Sequence, residues 1–310
     1  MLLTTCNKYK IYIFLLLVLF CLLPIISSPI ALILGFSAAS LGIAPDASKL
    51  SPWIKKLLAC SVVGLGFGIQ LNTAISASIE NLPLIIGSIL LTLLLGYLVT
   101  RQLKLNTKTG YLISAGTAIC GGSAIAAITP AINANSDESG IALATIFILN
   151  AVALFLFPAV GHLLAMSQHD FGVWSAIAIH DTSSVIGAAS AYGNEALVTA
   201  TTIKLARALW IIPIAFISAV MFKGSTNRIP IPYFILFYCI AIAIAYYFPD
   251  GNEIYQLLFD GAKRLLVVCL FLIGAGITLQ KMKQAGLKPL ILGISLWGII
   301  ASTSLIYILV

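Results

Sequence analysis

Charged residues are scarce in this chain. Asp, Glu, Lys and Arg together make up 9% of its 310 residues, whereas a soluble domain carries about 25%. Hydrophobic residues make up 60%, and no stretch between the apolar runs is long enough to bury a core of its own. The shortage of charge excludes a soluble globular protein. The composition predicts an all-α polytopic membrane protein that has the lipid bilayer as a partner.

Several chemical signatures are also missing. The six cysteines are scattered without a C-x-x-C pair, so neither a disulfide framework nor a metal site is indicated. The chain has no H-E-x-x-H motif, and Ser123 lacks the second glycine of a G-x-S-x-G turn. We therefore predict no enzyme activity, no cofactor and no metal. The net charge of +7 does not indicate nucleic acid, because most basic residues lie in short loops between apolar runs.

Apolar runs of about 20 residues, the length that crosses a bilayer, recur along the chain. They predict eleven transmembrane helices, or ten if the first run is a cleaved signal peptide. We keep the first run as an anchor, since it shows no A-x-A cleavage pattern. We expect one membrane domain over 1–310, with an anchor at 1–28 and two halves at 29–165 and 166–310. The predicted spans are Ile11–Ser27, Pro29–Ala44, Trp53–Asn72, Leu82–Arg101, Gly110–Ile132, Ser139–Ala165, Phe171–Gly193, Glu195–Phe222, Ile231–Phe248, Tyr255–Gln280 and Lys288–Val310.

The basic residues between the predicted spans favour one orientation. With a cytoplasmic N-terminus and an outside C-terminus, thirteen of the 17 Lys and Arg residues fall inside, as the positive-inside rule requires. Lys263 and Arg264 are the outside exceptions. We therefore predict a multi-pass protein of the inner (cell) membrane. The inside cations are Lys8, Lys10, Lys49, Lys55, Lys56, Arg101, Lys104, Lys108, Lys223, Arg228, Lys281, Lys283 and Lys288, and the outside acids are Glu80, Asp137, Glu138, Glu195, Asp250, Glu253 and Asp260.

Two distant segments of the chain resemble each other. Residues 55–71 match residues 263–279 at a constant offset, and Pro83–Gly87 matches Pro289–Gly293 after a gap of two residues. The paired spans run in opposite directions under the predicted topology, which is typical of the inverted repeats of transporters. The repeat pairs the third and fourth spans with the tenth and eleventh, while the fifth to eighth spans find no partner. Its paired glycines are expected to serve close helix packing.

A Gly-Gly-Ser step interrupts the fifth span. Each glycine costs roughly 1 kcal/mol relative to alanine inside a helix, and a broken helix in a membrane needs protein or water to satisfy its backbone. We therefore expect a discontinuous helix whose second half points its N-terminal amides into a cavity. The amides around Gly121, Gly122 and Ser123 would bind an anion there.

Ionisable residues in later spans predict the charge of that cavity. Asp181 lies near the middle of the seventh span, and Lys204 and Arg207 share one face of the eighth. One acid against two cations is the balance expected of an anion site. Arginine suits a planar or tetrahedral oxyanion, and lysine supplies a point charge. The alternative is an Asp181–Arg207 pair that only holds two helices together.

The residues next to Asp181 add two hydroxyls and a histidine. Ser183 and Ser184 are predicted to line the same hydrated path, and whether the helix is also broken here is open. His180 is predicted to move a coupling proton together with Asp181, with a buried structural histidine as the alternative.

Three motifs carry a resemblance to a known family. Cys120–Ala127, His180–Val185 and Ala200–Arg207 are similar, in order and spacing, to motifs of the YeiH-like sulfate exporter family. The resemblance implies membership of the bile acid, arsenite and riboflavin transporter superfamily. It implies two five-span inverted repeats, a panel and a core subdomain, and two discontinuous helices that cross near the substrate. A five-plus-five register would pair the fifth span with the tenth, which disagrees with the repeat seen in the sequence.

These observations together predict a secondary active transporter. We expect it to export a small inorganic or sulfonate oxyanion, such as sulfate or sulfite, with a proton as the coupling ion. The alternative is a sodium-coupled symporter of an organic anion within the same superfamily, because broken helices also coordinate sodium. Whether the chain is a monomer or a homodimer stays open.

Overall fold

A computed structural model describes residues 2–23, 25–222, 233–276 and 286–309. These residues form α-helices joined by short turns, with no β-strand among them, which confirms the predicted all-α polytopic class. The helices are α1 (Leu2–Phe20), α2 (Ser28–Ser40), α3 (Ala47–Gly66), α4 (Leu71–Glu80), α5 (Leu82–Gln102), α6 (Thr107–Ala118), α7 (Gly122–Ala131), α8 (Ser136–Leu163), α9 (Gln168–Ala178), α10 (Thr182–Tyr192), α11 (Asn194–Ala208), α12 (Ile211–Met221), α13 (Tyr233–Tyr247), α14 (Asn252–Gly276) and α15 (Leu287–Leu309), with a 3₁₀ turn at Pro249–Gly251. The inside cations Lys223, Arg228, Lys281 and Lys283 lie outside the described residues.

The chain divides into two compact units, each built from separate stretches of sequence. The first unit consists of Met1–Thr73 and Pro232–Leu279, and the second of Ala74–Ile231 and Gln280–Val310. The division cuts across the predicted halves of the chain, because the polypeptide returns to the first unit after it has built most of the second.

The first unit packs its helices closely around α14. A side chain at Gly35 of α2 would collide with the Phe271 carbonyl of α14, and one at Gly274 would collide with the Leu32 carbonyl of α2. The two helices therefore touch backbone to backbone at two points. Gly274 belongs to the predicted repeat, and its expected role in close packing is confirmed.

Among the described residues, four helical segments are long and apolar enough to cross a membrane, and all four belong to the second unit: α5, α8, the continuous segment α11–α12 and α15. Helix α8 has 28 residues and is therefore about 42 Å long, which exceeds the roughly 30 Å of a hydrocarbon core. A capping box between Asn135 and Glu138 fixes its start. The long helices contact two pairs of shorter helices, α6–α7 and α9–α10.

The first short pair, α6–α7, is a helical hairpin. Helix α6 ends at Ala118, and α7 begins at Gly122 and runs back. The Lys108 ammonium near the start of α6 donates a hydrogen bond to the Asn133 carbonyl beyond the end of α7, at 2.6 Å. A straight helix would hold these two residues about 37 Å apart. The beginning of α6 and the end of α7 therefore lie at the same end of the unit.

The second short pair, α9–α10, folds back in the same way. The Tyr192 hydroxyl at the end of α10 donates to the Met166 carbonyl, which precedes α9, at 2.7 Å. The Tyr192 ring stacks on Phe171 of α9 with ring centroids 3.8 Å apart. The seventh predicted span is thus broken before Thr182, and its two parts form a second hairpin.

The two hairpins correct the predicted topology. The discontinuous helix predicted in the fifth span is confirmed, and the seventh span, where the question was open, is broken as well. The expectation that these two segments cross the membrane is wrong. The turns at 119–121 and 179–181 reverse the chain instead of only interrupting a helix. Because two crossings disappear, the predicted sides of the termini do not change. Asp137 and Glu138, predicted outside, move to the end of the unit that carries Lys108.

The hairpins enter the second unit from opposite ends. The open end of a hairpin is the end opposite its turn. Helix α8 runs without a break from the open end of the first hairpin to the open end of the second. The hairpins therefore point toward each other. Ile119–Gly121, called the first tip, and Ile179–Asp181, called the second tip, meet between those ends.

The contacts within each unit show how the repeat is arranged. In the second unit, α5 packs on α6 and α15 packs on α9, while α8 contacts α10 and α12 contacts α7. In the first unit, α14 packs on α2 and α3 packs on α13. These contacts agree with the pairing of α3 with α14 and of α5 with α15 that the sequence repeat predicts, and they match the two hairpins to each other. The match is partial, because α15 also packs on α6 and α8 while α5 makes no comparable contacts with α9 and α11. The second copy is circularly permuted, since its hairpin comes first in the chain. These contacts do not pair the fifth span with the tenth, as a five-plus-five register would.

Candidate functional site

The two tips touch at a glycine. A Cβ atom placed on Gly121 would lie 3.1 Å from the Cα of Asp181 and 3.3 Å from its backbone nitrogen. Gly121 has φ 65° and ψ −124°, a conformation that residues with a side chain avoid. Glycine is therefore needed here both to reverse the chain and to let the tips approach.

Helix α7 starts at the first tip without a side-chain cap. Gly121 is its N-cap residue and makes no side-chain hydrogen bond. Gly122 is partly exposed and Ser123 is exposed. An N-terminus of this kind has amides without intrahelical partners and a partial positive charge, which together attract anions.

Helix α10 starts at the second tip with an acidic cap. The Asp181 carboxylate accepts hydrogen bonds from the amide of Ser183, at 3.0 Å, and from the Ser183 hydroxyl. Asp181 is partly exposed, whereas Ser183 and Ser184 are buried. One negative charge thus lies next to the uncapped start of α7.

Arg207 is fully buried and joins both hairpins. Its Nε donates to the Ala118 carbonyl at 2.7 Å, and its Nη2 donates to the Thr117 carbonyl at 3.2 Å, both at the C-terminal end of α6. Its Nη1 donates to the carbonyls of Ile177 and, at 3.3 Å, Ala176 in the last turn of α9. One guanidinium satisfies carbonyls that the two breaks would otherwise leave unpaired.

Lys204 serves the same purpose one helical turn earlier. Its ammonium donates to the Ile179 carbonyl of the second tip at 2.7 Å and to the Ala176 carbonyl at 3.2 Å. The C-terminal end of a helix carries a partial charge of about −0.5. Two embedded cations therefore face the negative ends of α6 and α9, which offsets the cost of burying them.

This geometry changes the expected partners of the two cations. Lys204 and Arg207 share one face of α11, as the spacing predicts, but both bind backbone carbonyls and both have an exposed fraction of 0%. The alternative Asp181–Arg207 pair is not formed. In the part of the chain that the structure describes, the ion pairs are Lys49–Asp46 and Lys263–Asp260.

His180 is surrounded by polar groups that the sequence alone indicated only weakly. The Asn150 side-chain oxygen of α8 accepts a hydrogen bond from the Asp181 amide at 3.3 Å. The Asn150 Nδ2, both ring nitrogens of His180 and the Trp297 Nε1 are buried without hydrogen-bond partners among the described residues. The His180 and Trp297 rings lie 6.3 Å apart. An amide inside a span was the available signal for Asn150, and no pattern links Trp297 to the tips.

The predicted site residues therefore form two groups, one exposed or partly exposed and one buried. The structure brings them together at the two tips and on the helix behind them. Gly122, Ser123 and Asp181 are exposed or partly exposed, and Gly121, His180, Ser183, Ser184, Lys204 and Arg207 are buried.

Known proteins with similar sequences are membrane proteins. A UPF0324 membrane protein of Photobacterium profundum is 63% identical over 296 residues, which covers 96% of this chain and 91% of that protein. UPF0324 membrane proteins of Shewanella oneidensis and Bacteroides thetaiotaomicron are 64% identical over 291 residues and 48% identical over 287 residues. These alignments cover 94% and 91% of this chain and 92% and 86% of the relatives. No solved structure matches the chain.

A family model described as "Conserved hypothetical protein 698" matches residues 13–293. The matched range includes both hairpins and the two cations of α11. The sequence comparisons and the apolar helices agree on a multi-pass membrane protein, and the chain belongs to the family of conserved hypothetical protein 698.

Proposed function

We propose that this protein is a secondary active transporter that exports a small oxyanion, such as sulfate, sulfite or a sulfonate. The observation that carries the proposal is the meeting of two re-entrant hairpins, tip to tip, inside one unit. Non-helical backbone at membrane depth is tolerated where protein encloses it or a water-filled cavity adjoins it. Transporters use such broken helices to place helix N-termini at anionic substrates.

The start of α7 is the proposed anion-binding element. The amides of Gly122 and Ser123 and the Ser123 hydroxyl supply hydrogen-bond donors on an exposed surface. Lys204 and Arg207 act from behind the tips, through the field of their charges and not by contact. That field is strong because the surroundings have a low dielectric constant.

Asp181 is the proposed carrier of a coupling proton. Its partly exposed carboxylate lies beside the start of α7, so its negative charge would repel a bound anion and its protonated form would not. His180 precedes it in the second tip and is a second proton-binding group in the proposal. The proposal keeps the N-terminus in the cytoplasm and the C-terminus outside the inner membrane, as the distribution of cations favours.

Reconstitution into liposomes tests the proposal. Purified protein should move radiolabelled sulfate, sulfite or taurine faster than protein-free liposomes do. Gly121→Ala should abolish this flux, because the added methyl group forces the tips apart. Gly122→Ala is the matched control, since its methyl group would meet Phe147 and Leu143 at ordinary distances of 3.4 and 3.5 Å. No flux of any of these anions would refute the proposal, and equal flux through both variants would refute the role given to the contact between the tips.

A further inference from the structure

We infer that Lys204 and Arg207 are built-in replacements for a coupling sodium ion, so that transport by this protein is independent of sodium. This inference rests on the proposed transport function and concerns its coupling. It starts from the backbone carbonyls at the ends of α6 and α9. In transporters with broken helices, carbonyls at the C-terminal ends of half-helices are the groups that coordinate sodium.

The two side chains already bind those carbonyls. Lys204 and Arg207 donate to five carbonyl oxygens at the two breaks, those of Thr117, Ala118, Ala176, Ile177 and Ile179. The ammonium and the guanidinium share the Ala176 oxygen, so one compact group of carbonyls holds both charges. A metal cation at the same oxygens would have to displace a covalently attached cation.

The charges of the neighbourhood argue against an additional cation. Lys204 and Arg207 are the buried lysine and arginine of the described residues, and no Asp or Glu is buried with them there. Asp181 at the second tip supplies one negative charge and is already hydrogen-bonded to Ser183. A sodium ion would meet two fixed positive charges in surroundings where like charges repel strongly.

The replacement has a consequence for the transport cycle. A coupling sodium ion brings positive charge to the site and leaves with every turnover, whereas a side chain cannot leave. The two cations attract the anion in every state of the protein. Coupling must then come from another group, and Asp181 is the titratable residue that is accessible at the tips.

The first experiment compares cations during anion flux. Proteoliposomes are assayed in sodium, potassium and choline salts of equal ionic strength and equal pH. We expect the flux to change by less than about twofold, whereas coupling between two ligands is typically worth about fivefold or more. Stimulation by sodium of that size would overturn the inference and leave the proposed transport function standing.

The second experiment does not depend on flux. The melting temperatures of the wild type, Lys204→Met and the control Lys263→Met are measured in the same three salts. Lys263 is partly exposed and paired with Asp260 at 2.8 Å, so its variant should behave like the wild type. Lys204→Met takes the donor from the Ile179 carbonyl and leaves the Ala176 carbonyl to Arg207 alone. Its melting temperature should therefore be lower in choline and should be raised by sodium.

The outcomes separate the two proposals. A wild-type protein that sodium stabilises over choline, or a Lys204→Met protein that melts like the wild type in every salt, overturns the inference. A Lys204→Met protein that melts lower and gains nothing from sodium overturns it as well. If Lys204→Met does not fold, the wild-type measurements still decide. Absence of flux for every anion refutes the transport function. The melting temperatures still test whether this group of carbonyls binds sodium when Lys204 is removed.

Discussion

Gly121 meets two demands at one position, a positive φ and a neighbouring backbone where its side chain would be. In the sequence, the Gly-Gly-Ser step predicts a break in the helix, but it does not indicate which glycine is essential. That distinction needs the position of Asp181, 60 residues later in the chain, which lies against Gly121 and not against Gly122.

Gly121→Ala should lower the melting temperature of the purified protein. A strained backbone conformation costs roughly 1–3 kcal/mol, and the methyl group also presses on Asp181. Gly122→Ala should be neutral or stabilising, because alanine in a helix is favoured over glycine by about 1 kcal/mol. Thermal unfolding in detergent measures both variants, and the reverse order of melting temperatures would contradict the described contact.

Asp181→Asn should separate folding from coupling. Asparagine also caps helix N-termini well, so we expect the melting temperature to stay close to that of the wild type. Accumulation of the anion driven by a pH gradient should be lost, while flux down a concentration gradient remains. Asp250→Asn, an exposed acid in the 3₁₀ turn, is the control. Undiminished pH-driven accumulation in Asp181→Asn would exclude Asp181 as the carrier of the coupling proton.

The sequence identifies the buried charges but not their partners. Lys204 and Arg207 stand out because an ionisable residue inside an apolar run is costly. Their spacing correctly places them on one helix face. The carbonyls that they bind become available only when α6 and α9 end inside the unit, and no side-chain pattern records that.

At the scale of helices, a hairpin and an interrupted spanning helix have the same composition. Residues 107–131 are apolar and long enough to cross a bilayer, so length cannot distinguish the two. The positive-inside rule does not distinguish them either, because replacing two crossings by two hairpins leaves every strongly basic loop on its predicted side. The Lys108–Asn133 hydrogen bond is the observation that decides.

Cysteine labelling in cells tests the hairpins. In a background without the native cysteines, Thr107→Cys and Ser136→Cys should react with an impermeant thiol reagent from the same side of the membrane. His169→Cys and Glu195→Cys should both react from the other side. All four residues are exposed. Labelling of Thr107→Cys and Ser136→Cys from opposite sides would show that the segment between them crosses the membrane, as first predicted.

Arg207→Met should destabilise the second unit strongly. Each buried carbonyl left without a donor costs about 1–3 kcal/mol. Arg207 binds four carbonyls, of which Ala176 keeps Lys204 as a donor and the other three lose theirs. Arg264→Met is the matched control, because Arg264 makes long contacts of 3.4 and 3.5 Å to the Ile26 and Leu23 carbonyls. A melting temperature of Arg207→Met as high as that of Arg264→Met would show that the carbonyls do not depend on the guanidinium.

At the scale of the whole molecule, the repeat was only partly visible in the sequence. The pairs α3 with α14 and α5 with α15 retain basic residues, glycines and a proline at matching positions. The hairpins do not, since the tips Ile119–Gly121 and Ile179–Asp181 share only their first residue. A repeat is recognised in a sequence by a constant offset between matching residues. Because the second copy is circularly permuted, its hairpin does not share the offset of the other paired helices.

The divergence of the two tips fits different tasks for the two hairpins. The first tip ends in glycine and leaves the start of α7 uncapped, whereas the second ends in an aspartate that caps α10. We expect the first hairpin to bind the anion and the second to respond to the coupling proton. Arg207 binds both hairpins, whereas the Asn150 side chain binds the second tip alone among the described hydrogen bonds.

Labelling at Ser123 tests the central claim most directly. In a background without the native cysteines, the rate at which Ser123→Cys reacts with an impermeant thiol reagent is measured in proteoliposomes, with and without sulfate, sulfite or taurine. Thr107→Cys, at the open end of the same hairpin, is the control. We expect Ser123→Cys to react and a transported anion to slow that reaction without affecting Thr107→Cys. A Ser123→Cys that never reacts, or that reacts at the same rate with every anion present, would contradict an anion site at the start of α7.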